Sequence, residues 1–214
     1  MMPEASSLVF NLDGTISDPS LGIWRCFNYA LEAQDLPPVS REDVAHLIGP
    51  PLDQGFRTLH PDASHQDVQA LVEKYRERYA EYGYAENELY PGIHEALQNL
   101  HHSGIPMGVC SSKRVDFVRQ ILDLFELSSC LEFVDGGDVG ISKRSQLAEL
   151  LRTGAIDSRA LMIGDRDVDI EAADANGLRG VGVLWGFGGA AELSGAMRLL
   201  ESPADLYGAI LESQ

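Results

Sequence analysis

At 214 residues, with 44% hydrophobic and 23% charged content, the chain can bury one full α/β core plus a smaller appendage. Its formal net charge of −17 argues against a nucleic-acid backbone or an anionic membrane as partner, since either would be repelled; a phosphate-bearing substrate would need a local cation to reverse the sign in its site. Cys26, Cys110 and Cys130 lack CxxC spacing, the N-terminus shows no secretory signal and no stretch approaches the ~18 apolar residues of a membrane span, so a reducing, cytoplasmic setting is expected.

In chain order, Leu8–Phe10 reads as a buried strand, and two polar side chains, Asn11 and Asp13, emerge where it ends, followed by Gly14 and Thr15. Ser17-Asp18-Pro19 predicts a helix start with proline at the first helical position, and Leu21, Trp24, Phe27 and Leu31 follow at helical spacing. Pro37-Pro38 breaks the chain, Ser40 with Asp43 predicts a capping box, and Gly49-Pro50-Pro51 breaks it again before Leu52–Leu59. Ser64 with Asp67 caps a longer helix whose expected buried face is Val68, Leu71, Val72, Tyr75, Tyr79 and Tyr82. Residues 17–86 thus read as helical without a strand, a small module inserted directly after the first strand.

From Tyr90-Pro91-Gly92 onward helices and strands alternate. Helical segments carry Ile93, Ala96, Leu97 and Leu100, then Val118, Ile121, Leu122 and Phe125, then Leu147, Leu150 and Leu151 behind a Ser142 cap, and a further one spans 170–175. Strands are expected at 105–110, 131–134, 160–163 and, as the last, 180–184, with a closing helix over 203–212. Such alternation predicts an α/β, doubly wound, Rossmann-like parallel sheet with helices on both faces. Residues 1–16 and 87–214 would form this core, and 17–86 the inserted helical domain.

Polar groups fall at four strand ends or loop mouths: Asn11 and Asp13, Ser111 and Ser112, Lys143, and Asp165 with Asp169. In a doubly wound sheet such ends converge on one edge. Singly each has a plain explanation: Asp13 as a capping residue, Asp165 and Asp169 as acids favoured by a helix dipole, Lys143 as a solvated side chain. Their joint order is the specific signal. It resembles the haloacid dehalogenase (HAD) superfamily over essentially the whole chain. Asn11-Leu12-Asp13-Gly14-Thr15 is similar to motif I, Ser111 to motif II, Lys143 to motif III, and Gly164-Asp165-Arg166 with Asp169 to the GDxxxD form of motif IV. The helical insert matches the position of a C1 cap. Gly49-Pro50-Pro51-Leu52, Tyr90-Pro91-Gly92 and residues 172–177 resemble the phosphoglycolate phosphatase branch.

The resemblance implies a Mg²⁺-dependent phosphomonoester hydrolase acting on a small phosphorylated metabolite through an aspartyl-phosphate. Residue 11 would be the nucleophile and a metal ligand. Asp13 would serve as general acid and then base, with its carbonyl on the metal. Ser111 and Lys143 would grip phosphoryl oxygens, with Gly14, Thr15 and Ser112 completing the cradle. Asp165 would bind Mg²⁺, and Asp169 would ligate it or orient its waters. Arg25 and Arg57 are candidates to meet an anionic tail, the six histidines are assigned no role, and a monomer or a homodimer is expected, Trp24 and the tyrosine face of the insert being the features that would support the dimer.

One position departs from the pattern: Asn11 stands where the family has its nucleophilic aspartate. An amide is a very poor nucleophile and takes one negative charge from a metal site. Three explanations compete: an engineered Asp→Asn change in a working phosphatase, a natural pseudo-phosphatase that binds a ligand or partner, or slow turnover by Asp13 with metal-bound water. The intact remainder of the site favours the first. A regulatory binding protein is the rival class; 5′-nucleotidase, phosphomutase and dehalogenase activities are further alternatives. Phosphoglycolate, a nucleoside 5′-monophosphate and a sugar phosphate all remain open as ligands.

Overall fold

The computed structural model describes residues 5–138 and 140–211; the expected core segments 1–4 and 212–214 lie outside the described residues. Its centre is β1 (Leu8–Phe10), whose three side chains are all apolar and fully buried. Alternate residues of a strand face opposite ways, so an unbroken apolar run suits a strand covered on both faces. Leu8 and Phe10 accordingly join one hydrophobic cluster, and Val9 joins another on the opposite face.

β1 is flanked by β4 (Met107–Ser111) and β6 (Leu161–Gly164), with Leu8 opposite both Met107 and Leu161. β5 (Phe133–Gly136) extends the sheet beyond β4, and β7 (Arg179–Val183) and β8 (Arg198–Leu200) extend it beyond β6. Among the described residues the order is β5-β4-β1-β6-β7-β8, and every pair is parallel. α5 (Ile93–His102), α6 (Val115–Leu124) and α9 (Asp205–Leu211) cover one face, and α7 (Lys143–Thr153) and α8 (Asp167–Asp174) cover the other. The chain winds outward from β1 in one direction and then in the other. The C-terminal ends of β4, β1 and β6 therefore flank a topological switch point, where ligands of such sheets bind.

Between β1 and α5 run α1 (Ser20–Glu32), α2 (Arg41–Ala45), α3 (Leu52–Leu59) and α4 (His65–Glu81). Both expected capping boxes form: Ser40 exchanges bonds with Asp43, and Ser64 with Asp67. The helices bury an aromatic chain of their own. Phe27 packs on Phe56 and Tyr75, with ring centroids 4.7 and 5.3 Å apart; Tyr75 stacks on Tyr79 at 5.6 Å, and Tyr79 meets Phe117 of α6 edge-on at 4.9 Å.

Four local expectations need correction. Ser17–Asp18 forms a short strand, β2, paired antiparallel with β3 (Glu88–Leu89) where the chain leaves and re-enters the core; the pairing satisfies backbone groups that helix would have left open. α1 starts one residue later than predicted, with Pro19 at the cap position and Asp18 Oδ1 accepting the Ser20 N–H at 2.8 Å. Tyr82 is exposed, because it lies past the last turn of α4, where the backbone has left helical geometry. The sheet does not end at 184: β8 adds a sixth strand, three residues long and too short to show periodicity. Trp24 is turned inward, its Nε1 donating to the Val39 carbonyl at 2.9 Å. The three cysteines are buried thiols, and no described helix is long and apolar enough to cross a membrane.

Candidate active site

Asn11 sits at the exit of β1, its backbone N–H bonded to the Ile163 carbonyl of β6 at 2.8 Å. That bond aims its side chain between two other strand ends. Asn11 Nδ2 donates to the Asp13 carbonyl at 2.8 Å and to Asp165 Oδ1 at 3.1 Å, while Asn11 Oδ1 accepts from Lys143 Nζ at 2.9 Å. Lys143 opens α7 and is itself buried, paired with Asp169 Oδ1. Burial works against its ammonium, yet Asp169 holds its pKa above the usual lysine value. Asp169 Oδ2 accepts the Arg166 N–H at 3.1 Å and so caps α8.

Asp165 lies beneath this layer, wholly buried. Its Oδ1 also accepts from Thr15 Oγ1 at 3.1 Å, and its Oδ2 from the Phe187 N–H at 3.0 Å. Burial, with the Asp169 charge beside it, pushes its carboxyl pKa up to about 6. Gly14 is needed here on two counts: its φ is +83°, and a Cβ would lie 2.0 Å from Asp165 Oδ2.

Gly14 and Thr15 therefore do not join the phosphate cradle as expected. The Gly14 N–H is spent on the Ser17 carbonyl at 2.8 Å, and the Thr15 hydroxyl supports the Asp165 carboxylate from behind. Ser111 and Ser112 do reach the cleft, together with Asn11, Asp13, Lys143 and Asp169. Arg25 and Arg57 do not: Arg25 pairs with Glu86 at 2.6 Å, and Arg57 lies 3.2 Å from the His65 ring. The guanidinium groups that line the cleft belong to Arg76, Arg114 and Arg166.

Three contributors carry no assignment from the sequence. Lys113 pairs with Asp13 Oδ2 at 2.8 Å and lies 4.7 Å from the centroid of the Tyr79 ring, joining core and helical insert. Although burial opposes its charge, the Asp13 carboxylate holds its pKa above the usual range. Asp13 lines the cleft, and its Oδ1 is buried with no hydrogen-bond partner among the described residues. Gln146 donates to the Ser111 carbonyl at 3.0 Å and to Asp135 at 2.8 Å, fixing the end of β4 that carries Ser111. The 185–189 loop wraps the other side, with Trp185 Nε1 on the Thr15 carbonyl at 3.0 Å. Lys113 follows Ser111 and Ser112 directly in sequence, but its partners Asp13 and Tyr79 come from remote segments.

The cleft roof is apolar, formed by Ile23, Phe27, Ile48, Leu52 and Tyr75 of the helical insert. Arg166 fastens this roof to the core: its Nη1 donates to the Ile48 carbonyl at 2.6 Å while its Nε pairs with Glu192 at 2.6 Å. Among the described residues no three His, Cys, Asp or Glu side chains gather as a metal-binding group.

A six-stranded parallel sheet bearing these residues at its switch point, beneath a helical insert after β1, defines the class. The haloacid dehalogenase-like hydrolase family model matches residues 8–183, and the chain belongs to that family. A 5′-nucleotidase from Pseudomonas aeruginosa is 34% identical over 192 residues, covering 87% of this chain and 86% of the relative. A phosphoglycolate phosphatase from Pectobacterium atrosepticum is 33% identical over 210 residues, covering 93% and 89%. The tyrosine-protein kinase PtkA of Mycobacterium tuberculosis is 31% identical over 185 residues, but the match spans 62% of PtkA and 85% of this chain. Among solved structures, a predicted phosphatase from Clostridium acetobutylicum superposes with a TM-score of 0.91 at 30% identity, covering 98% of this chain and all of the other.

Proposed function

We propose that the chain is a phosphomonoester hydrolase scaffold of the phosphoglycolate phosphatase-like type, holding a small phosphorylated molecule in this cleft and silenced for hydrolysis at residue 11. The observation that carries the reading is the convergence of Asn11, Asp13, Ser111 and Lys143, from two strand ends and a helix start, on one cleft. Ser111 and Lys143 bind the phosphoryl oxygens, and Asp13 presents its free Oδ1 to the ester oxygen. Lys113 holds the other oxygen of Asp13, fixing the rotamer from which a proton is passed.

With aspartate at 11, a carboxylate oxygen attacks phosphorus, the ester P–O bond breaks and Asp13 protonates the departing alkoxide. Asp13, now a carboxylate, then takes a proton from the water that attacks the acyl phosphate, releasing inorganic phosphate and restoring the carboxylate at 11 and the protonated Asp13. In that form Mg²⁺ belongs to the proposal, supplying charge neutralisation for the phosphoryl oxygens. With Asn11 the first step has no competent nucleophile, and loss of such a group costs on the order of 10⁴ to 10⁶ in rate.

The helical insert acts as a cap in this reading. Its apolar roof and the pairing of the arginines with carboxylates, Arg76 with Asp138 and Arg166 with Glu192, favour an ester larger and less polar than a two-carbon acid. The test is phosphate release from phosphoglycolate, nucleoside 5′-monophosphates, sugar phosphates and an aryl phosphate, by the chain and by Asn11→Asp. Turnover confined to the aspartate form supports hydrolysis. A second reading, a binding protein that retains a phosphorylated ligand, is favoured by the fully bonded Asn11 amide; binding with no turnover by either form would establish it.

A further inference from the structure

We infer that the Asn11 carboxamide does more than remove a nucleophile: it occupies, with its N–H bonds, the place a divalent cation would take, and so closes the site to Mg²⁺. The inference rests on the assignment of these residues as a HAD-type site.

The orientation of the amide is dictated by its partners. Lys143 has only donors to offer, whereas the Asp13 carbonyl and the Asp165 carboxylate have only acceptors. The carbonyl end of Asn11 must therefore face Lys143 at 2.9 Å, and the NH₂ end must bridge Asp13 O and Asp165 Oδ1 at 2.8 and 3.1 Å. These two acceptors are the oxygens that the resemblance assigns to the metal. The amide lends them hydrogen-bond donors where a cation would lend charge.

A carboxylate at this position has two oxygens, one for Lys143 and one for a cation. The amide has a single oxygen, and Lys143 holds it. Turning the amide over to present that oxygen to a cation sets its NH₂ against the ammonium of Lys143. Asn11 and Lys143 are 5% and 7% exposed, so water cannot relieve that clash. Lys143 is not free to move aside, because Asp169 holds it and Asp169 is in turn fixed by the first turn of α8. Asp165 is engaged on both oxygens, taking bonds from Asn11, Thr15 and Phe187. With asparagine at 11 the residues present do not fit Mg²⁺.

Calorimetric titration with Mg²⁺ and thermal unfolding in EDTA or excess Mg²⁺ test this on three 214-residue chains: the unchanged protein, Asn11→Asp and Asn11→Ala. The chain as written is expected to show no binding heat up to millimolar Mg²⁺ and the same melting temperature in both buffers. Asn11→Asp, with a fourth carboxylate packed in beside Asp13, Asp165 and Asp169, should melt lower in EDTA and recover by several degrees with Mg²⁺. Asn11→Ala removes the donors without adding charge, and should show a smaller recovery of the same sign. Binding by the chain as written within threefold of Asn11→Asp overturns the inference, as does indifference of both variants to Mg²⁺. A response from Asn11→Asp alone also overturns it, because only the missing carboxylate would then matter. A metal response without phosphate release would sink hydrolysis while leaving this assignment standing.

Discussion

The sheet edge and the helical insert face each other across one cleft but are built on opposite principles. At the edge, charges are packed against charges: Lys143 between Asn11 and Asp169, Lys113 on Asp13, Asp165 under three hydrogen bonds. In the insert, the groups that matter are rings, running from Phe56 through Phe27, Tyr75 and Tyr79 to Phe117. Reaction chemistry needs fixed polar atoms, and strands joined by backbone bonds hold them rigidly. Enclosing a ligand needs apolar area and an element able to move as a unit, which a separate helical cluster supplies. Lys113, Arg166 and Arg76, the last through Asp138, are cations that cross the seam.

This division can be tested from either side. The largest effect is expected at the edge: in the Asn11→Asp background, Asp13→Asn should lower kcat by about 10² to 10⁴, the range of a general acid–base group, with little change in ligand affinity; steady-state kinetics on the best ester would measure it. The insert should answer differently. Phe56 is fully buried at the start of the ring chain, and Phe56→Ala should cost about 3–5 kcal/mol in denaturant unfolding, while kcat of the remaining folded enzyme changes little. A loss of kcat matching that of Asp13→Asn would mean that the insert takes part in the chemistry. The smallest effect is expected at the seam. Arg166→Ala forfeits the bond to Ile48 O, worth about 1 kcal/mol, and should raise KM several-fold at unchanged kcat, together with faster amide exchange around Ile48.

The edge was also the more legible half. Residues such as Asn11, Ser111 and Asp165 stand at the ends of apolar runs, and a parallel sheet leaves those ends nowhere to go but one rim. Local side-chain chemistry was legible too: both Ser–Asp capping boxes formed as read. What depends on contacts between remote segments was not. Gly14 and Thr15 fit a phosphate loop in isolation, but the neighbouring Asp165 takes the Thr15 hydroxyl and leaves no space for a Cβ at residue 14. Arg25 and Arg57 were as plausible as Arg76 or Arg166, since a helix face is known only once its neighbours are placed. The β2–β3 pair and β8 are two and three residues long, below the length at which alternation can be seen.

In the proposed function one atom, the amide nitrogen of Asn11, separates this chain from hydrolysis. That separation is tested most directly by measuring phosphate release from the ester panel for the chain and for Asn11→Asp side by side, each in Mg²⁺ and in EDTA. The predicted result is turnover by the aspartate form alone, abolished by EDTA. Equal turnover by the chain as written, with or without metal, would contradict it.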